Sequence, residues 1–265
     1  MQEQLFEEYI DYSKKKVLIP LSGGINSMAV LCWLAKYPDN LKPKDLHLYY
    51  AHFEEHSPDT LQFVLDGVEY AKKYFENVTY VQTNNSVIDF FREQKMIPHP
   101  IYAPCTRVLK ITPLIEYSIN NKIDVDLVGY VKEEKRRIDR MHSKDENSKE
   151  KKHFPISSKD NQWCFDIVKK EIGWYPKIYD IRENGKRIFA HNNCLPCKNM
   201  NKKNFEMVKK YYPEMWESAV KLSEELQYHW GRSESDYVDI VQTTFGRDDW
   251  ETGYNDQPCE TCSFD

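Results

Sequence analysis

No stretch of this chain approaches the roughly 20 consecutive apolar residues that a membrane-spanning helix needs. Its first eight residues are acidic and lack the apolar core of a signal peptide, which predicts no secretory leader. A positive balance is missing too. The net charge is -5 and the pI about 6.0, so the molecule as a whole is no electrostatic adhesive for nucleic acid, although local basic patches stay open. No internal repeat is visible. Long disorder is not expected, because 40% of the residues are hydrophobic and 14% aromatic, enough for a real core. These absences together predict a cytoplasmic protein with seven reduced cysteines. In that setting paired cysteines more often bind metal or do redox chemistry than form disulfides.

The apolar residues that are present fall in short runs. Lys16 to Leu21 is Val/Ile/Leu-rich and ends at a Gly-Gly turn, which predicts a buried strand. A helix follows over 28–37, then a strand over 46–52, a helix over 60–75, a strand over 78–81, helices over 87–94 and 110–120, and a strand over 125–130. Strands alternating with helices predict an α/β fold, a parallel sheet flanked by helices on both faces. Such sheets bind ligands at the carboxyl ends of their strands, where Ser22, His52 and Gly129 fall. Residues 132–159 are dense in Lys, Glu, Asp and Ser and read as a mobile surface loop. Further helices are expected over 166–172, 204–212 and 215–229. The expected organisation is a nucleotide-binding α/β domain over 1–140, a flexible charged loop over 141–160, and a C-terminal helical, cysteine-containing extension with a metal-binding role over 161–265.

Ser22-Gly23-Gly24-Ile25-Asn26-Ser27 joins the first strand to the first helix. Two glycines let the backbone approach anionic oxygens and take conformations closed to other residues. The helix that follows offers free N–H groups and the positive end of its dipole. Ser22 and Ser27 add hydroxyls. The bland alternative is an ordinary Gly-Gly turn; the serine-flanked spacing at a strand-to-helix junction favours a phosphate cradle. It is not a Walker loop, since no Gly-Lys-Ser/Thr follows, nor the dinucleotide fingerprint.

This hexapeptide resembles the Ser-Gly-Gly-x-Asp-Ser signature of PP-loop enzymes, the adenine nucleotide alpha hydrolase-like group, with Asn26 in place of the Asp. Cys105-Thr106-Arg107-Val108-Leu109-Lys110-Ile111-Thr112-Pro113-Leu114 resembles the Cys-x-x-x-x-Lys-x-x-Pro-Leu segment of phosphoadenosine phosphosulfate (PAPS) reductase-like proteins. Ala51-His52-Phe53-Glu54 is similar to their strand end near the adenosine, and the stretch from Gly129 to Arg137 to their Gly-x-x-x-x-Glu-x-x-Arg segment. The resemblance implies a Rossmann-like PP-loop fold. It implies an adenine nucleotide, ATP or PAPS-like, held by Ser22, Gly23, Gly24, Asn26, Ser27, His52 and Gly129, with Mg²⁺ as an accompanying ion. Lys110 and Arg107 then face the charged oxygens as catalytic cations, with Arg136 or Arg137 as a further anion ligand. Three activities stay open: an ATP pyrophosphatase that adenylylates its substrate in sulfur-related chemistry, a sulfonucleotide reductase, or a nucleotide-binding or sensing protein without turnover. Asn26 motivates the third, as does the lack of the reductases' C-terminal Glu-Cys-Gly-(Leu/Ile)-His motif. The implied partners are the small-molecule nucleotide and a nucleic acid or sulfur-donor protein, with no membrane.

Cys194-Leu195-Pro196-Cys197 and Cys259-Glu260-Thr261-Cys262 are two Cys-x-x-Cys pairs, a spacing that brings two thiolates to one centre. Four such thiolates make a tetrahedral zinc site. The competing reading is a [4Fe-4S] cluster on Cys105, Cys194 and Cys197, with Cys259 or Cys262 as fourth ligand, because the Cys105-to-Cys194 separation is similar to that of the iron–sulfur reductases. Buried free thiols or a redox pair are the plain alternatives. Cys32 and Cys164 read as core or surface thiols.

Overall fold

The computed structural model describes residues 9–96, 104–144 and 151–230. Five strands form one parallel sheet: β1 (Lys16–Leu21), β2 (Asp45–Phe53), β3 (Asn77–Asn85), β4 (Val125–Leu127) and β5 (Lys152–His153), in the spatial order β3-β2-β1-β4-β5. Val17 through Leu21 and Leu46 through Ala51 are buried without interruption, so alternate side chains on both faces of the sheet are covered. The expected α/β architecture is present. Among the described residues no helix is long and apolar enough to cross a membrane.

The covering helices are α1 (Ile25–Ala35), α2 (Thr60–Ala71), α3 (Val87–Gln94), α4, α5 (Lys135–Lys144), α6 (Asn161–Glu171), α7 (Lys202–Tyr211) and α8 (Pro213–Trp230). Helix α4 is composite: Pro104–Thr106, a π-turn over Arg107–Ile111, and Thr112–Asn120 run on without a break. One hydrophobic core joins the sheet to the C-terminal part, since Phe165, Tyr179, Leu195, Phe205 and Trp216 share it with Leu18 and Leu48. Arg92 Nε donates to Glu225 at 2.8 Å and ties α3 to α8.

The charge-dense stretch 132–159 differs from its expected loop. It contains a short 3₁₀ turn at Lys132–Glu134, all of α5, and strand β5, which pairs with β4 through Asp126↔Lys152 and Leu127↔His153. A few apolar groups suffice to hold it. Met141 is buried with Val128 and Tyr130, Ile138 packs on them, and the Tyr130 and Phe154 rings stack at 5.5 Å. Strand β3 runs four residues beyond its expected end, because Gln82 to Asn85 pair in register with Tyr50 to Phe53 at the sheet's edge despite their polar side chains. Strand β4 stops three residues early. Residues 145–150 and 231–265, with Cys259 and Cys262, lie outside the described residues.

Strand β1 runs to both β2 and β4, so its carboxyl end is where the strand order reverses, the usual position of a ligand crevice in an open parallel sheet. Leu18 is fully buried in this central strand. We predict that Leu18→Ala lowers the unfolding free energy by about 2–5 kcal/mol, as for other buried leucines. Urea unfolding measures it, and a loss near zero would contradict the central place given to β1.

Candidate functional site

Leaving β1, the chain makes a loop closed by its own hydroxyls. The Ser22 N–H donates to Ser27 Oγ at 3.1 Å, Ser27 Oγ donates to the Gly24 carbonyl at 3.1 Å, and the Gly24 N–H donates to Ser22 Oγ at 3.2 Å. Gly23 has φ +74°, and a Cβ there would stand 2.4 Å from Thr60 Cγ2, so both its conformation and its surroundings demand glycine. Helix α1 begins at Ile25 with Gly24 as an N-cap that supplies no side-chain acceptor. Its first N–H, from Ile25, is taken by the Tyr179 hydroxyl at 3.3 Å.

The end of β4 presses against this first turn. A Cβ on Gly129 would lie 2.8 Å from the backbone carbon and oxygen of Asn26. This contact brings Asn26 to the residues after Gly129. Its Nδ2 donates to Glu134 Oε2 at 3.3 Å. Glu134 also accepts the Val131 N–H at 3.3 Å and pairs with Arg137, whose guanidinium lies 4.4 Å from the centre of the Tyr130 ring. Burial pushes the Glu134 carboxyl above its ordinary value, while Arg137 and the two N–H donors oppose that shift. A neutral residue at 26 suits this setting, because an aspartate would put a second carboxylate within reach of a buried one.

These groups open on a cleft of about 1300 Å³, its solvent-filled mouth included. Of the residues expected to hold a nucleotide, Ser22, Gly24, Asn26, Ser27 and Gly129 line it; Gly23 does not, and its carbonyl is taken by Asn192. His52 is not among the lining residues. Its Nδ1 lies 3.2 Å from the Tyr50 hydroxyl, and that hydroxyl also meets Nδ1 of His56 at 3.0 Å. His56 lines the cleft in its place. Of the two expected cations on α4, Lys110 lines the cleft and Arg107 is exposed outside it; of the two arginines after Gly129, Arg137 lines it and Arg136 is exposed.

Cys105, Cys194 and Cys197 line the same cleft. Cys105 stands in the first turn of α4, and Cys194 and Cys197 in the irregular segment before α7. Thiolates are suited to zinc or iron–sulfur centres. Among the described residues, however, no three His, Cys, Asp or Glu side chains are gathered as a metal site. Cys32 and Cys164 are buried, and burial pushes both thiols up to about 12, as inert core cysteines require.

Sequence reasoning did not single out His56, Tyr179, His191, Asn192 or Lys198, all of which line the cleft. Burial, with Lys110 and His52 adding to it, pushes the His56 imidazole down to about 3. Burial, with Arg137, pushes His191 down to about 4. Both are therefore neutral near pH 7. Glu134, already paired with Arg137, is the only carboxylate among the described lining residues, which leaves the cleft cationic inside an acidic chain.

No family model matches this chain, and no curated protein does. Among solved structures it is similar to the U34-tRNA thiolase NcsA from Methanococcus maripaludis with its [4Fe-4S] cluster, at 13% identity and a TM-score of 0.44, over 94% of this chain and 80% of that one. At that distance only the chain's own residues can argue its chemistry.

The Asn26–Glu134 contact generates a prediction. Asn26→Asp should lower the melting temperature at pH 8, where both carboxylates are ionised, and lower it less at pH 5, where the raised Glu134 takes up a proton and the repulsion is relieved. Thermal melts of both proteins at both pH values test this. An equal loss at the two pH values would show that charge repulsion is not the cause.

Proposed function

We propose that this chain is a PP-loop enzyme of the ATP pyrophosphatase type, which binds an adenine nucleotide on the Ser22–Ser27 loop and adenylylates a substrate in sulfur-related chemistry. The observation that carries the reading is that a single cleft joins this loop and Lys110 to three cysteines, Cys105, Cys194 and Cys197. In such a reaction an acceptor oxygen attacks the α-phosphorus of ATP, the bond to the bridging oxygen breaks, and pyrophosphate leaves with the electron pair. Developing charge on the phosphates is met by loop N–H groups and Lys110. Burial makes the two imidazoles that face this space, His56 and His191, weak bases, so any proton on the acceptor passes to water.

Cys194 and Cys197 serve in this reading as ligands of one metal centre, joined by Cys105 and one of Cys259 and Cys262 for an iron–sulfur cluster, or by both Cys259 and Cys262 for zinc. An iron–sulfur cluster there supplies a site for binding sulfur, whereas zinc supplies a structural clamp. A nucleic acid or a sulfur-donor protein fits as acceptor or partner, because the cleft is cationic. A second reading, sulfonucleotide reduction, is favoured by the sharing of one cleft by Cys105, Cys194 and Cys197. It differs in releasing sulfite with thioredoxin as reductant and in releasing no pyrophosphate.

The deciding experiment is pyrophosphate release from ATP by anaerobically purified protein, with iron and zinc measured on the same sample. We expect slow release without an acceptor, loss of ATP binding in Gly23→Ala, and weaker binding in Lys110→Met at low salt, where phosphate contacts are least screened. Sulfite release without pyrophosphate would move the assignment to the reductase. Nucleotide binding without either product would remove the enzymatic reading.

A further inference from the structure

The segment that carries Cys194 is fastened to the Ser22–Ser27 loop at one end and to the turn after β2 at the other. Asn192 is buried, although it belongs to an irregular stretch. Its Nδ2 donates to the Gly23 carbonyl at 2.9 Å and to Thr60 Oγ1 at 2.8 Å. Three residues on, the Leu195 N–H donates to the Glu55 carbonyl at 2.8 Å. Glu55 is itself fixed, since its carboxylate accepts the Val87 and Ile88 N–H groups, both at 3.0 Å, at the start of α3. Cys194 lies between these two tethers, and only Asn193 separates it from Asn192.

The first tether grips a telling atom. A trans peptide holds its C=O and N–H on opposite sides. The Gly23 carbonyl faces Asn192, so the N–H of the same peptide, that of Gly24, is turned the other way, toward Ser22 Oγ at 3.2 Å. That N–H is one a phosphate bound in the loop would take. Glycine's wide backbone freedom leaves the orientation of this peptide to contacts such as the one with Asn192.

We propose that Asn192 is a positioning residue that couples phosphate binding at the loop to the placement of the Cys194–Cys197 turn, by holding the carbonyl of the peptide whose N–H receives the phosphate. The inference rests on the nucleotide reading above and adds to it a direction of communication: an occupied loop fixes the thiol segment, and an empty one leaves it looser. Coupling of this kind is reciprocal, so a thiol segment fixed by other means also tightens nucleotide binding.

Hydrogen exchange on the full chain tests it, read by mass spectrometry in peptides covering 22–28 and 190–200, with α,β-methylene ATP as the probe. In wild type both peptides should exchange several-fold more slowly with the nucleotide. In Asn192→Leu, similar in size but without the donor, the loop peptide should still respond and the 190–200 peptide should not. Transmission that survives in Asn192→Leu overturns the proposal, as does a wild-type loop that responds alone. A loop peptide that ignores the nucleotide would instead count against nucleotide binding. The tether is then read without ligand from Gly23→Ala, which displaces the gripped peptide: faster exchange over 190–200 supports the coupling, and unchanged exchange overturns it. Should Asn192→Leu fail to melt cooperatively, Thr60→Val removes one of the two acceptors and is expected to halve the response rather than abolish it.

Discussion

The approach of two backbones, at Gly129 and at the first turn of α1, sets the dimensions of everything around it. No side chain fits between them, since a single added carbon would stand 2.8 Å from the Asn26 backbone. This closeness is what the junction of β1 with β4 allows, because the two parallel strands deliver their carboxyl ends side by side. The Ser22–Ser27 loop grows from one end and the Glu134–Arg137 pair from the other, and Asn26 bridges them. A loosened contact here would move the loop and the charged pair together.

Electrostatics then divides the cleft from the rest of the chain. The protein is acidic overall, yet the one lining carboxylate is already paired with an arginine, and Lys110 and Lys198 face the same space. Buried imidazoles stay neutral there and add no further positive charge. The three thiols line the same cationic space.

Much of this was legible in the residues. Strand β1 announces itself by an unbroken apolar run, and the loop by two glycines between serines. The helices over α1 to α3 follow their apolar spacing. The rest was hidden for physical reasons. Strand β5 and helix α5 are written almost wholly in charged residues, and their few anchors, Ile138, Met141 and Phe154, are too sparse to form a period. The polar end of β3 is paired by backbone bonds, which leave no trace in side-chain hydropathy. His52 stood at the predicted strand end, but the turn after β2 carries the chain on, and His56 reaches the cleft. Asn192 gains its meaning only from partners far away in sequence.

The π-turn in α4 has a consequence for how the helix's two sides are related. The Thr112 N–H reaches back to the Arg107 carbonyl, one residue further than in an α-helix, so the stretch holds one residue more than a regular turn would. Lys110 sits inside it and faces the cleft, while Val108, Ile115 and Ile119 on the same helix are half or more exposed. Removing one residue from this stretch would restore a regular turn and leave the flanking faces in phase, whereas removing one from the regular part, Thr112–Asn120, would rotate everything beyond it by about 100°. The π-turn is thus the one place where this wall of the cleft tolerates a change in residue count without exchanging its inner and outer faces.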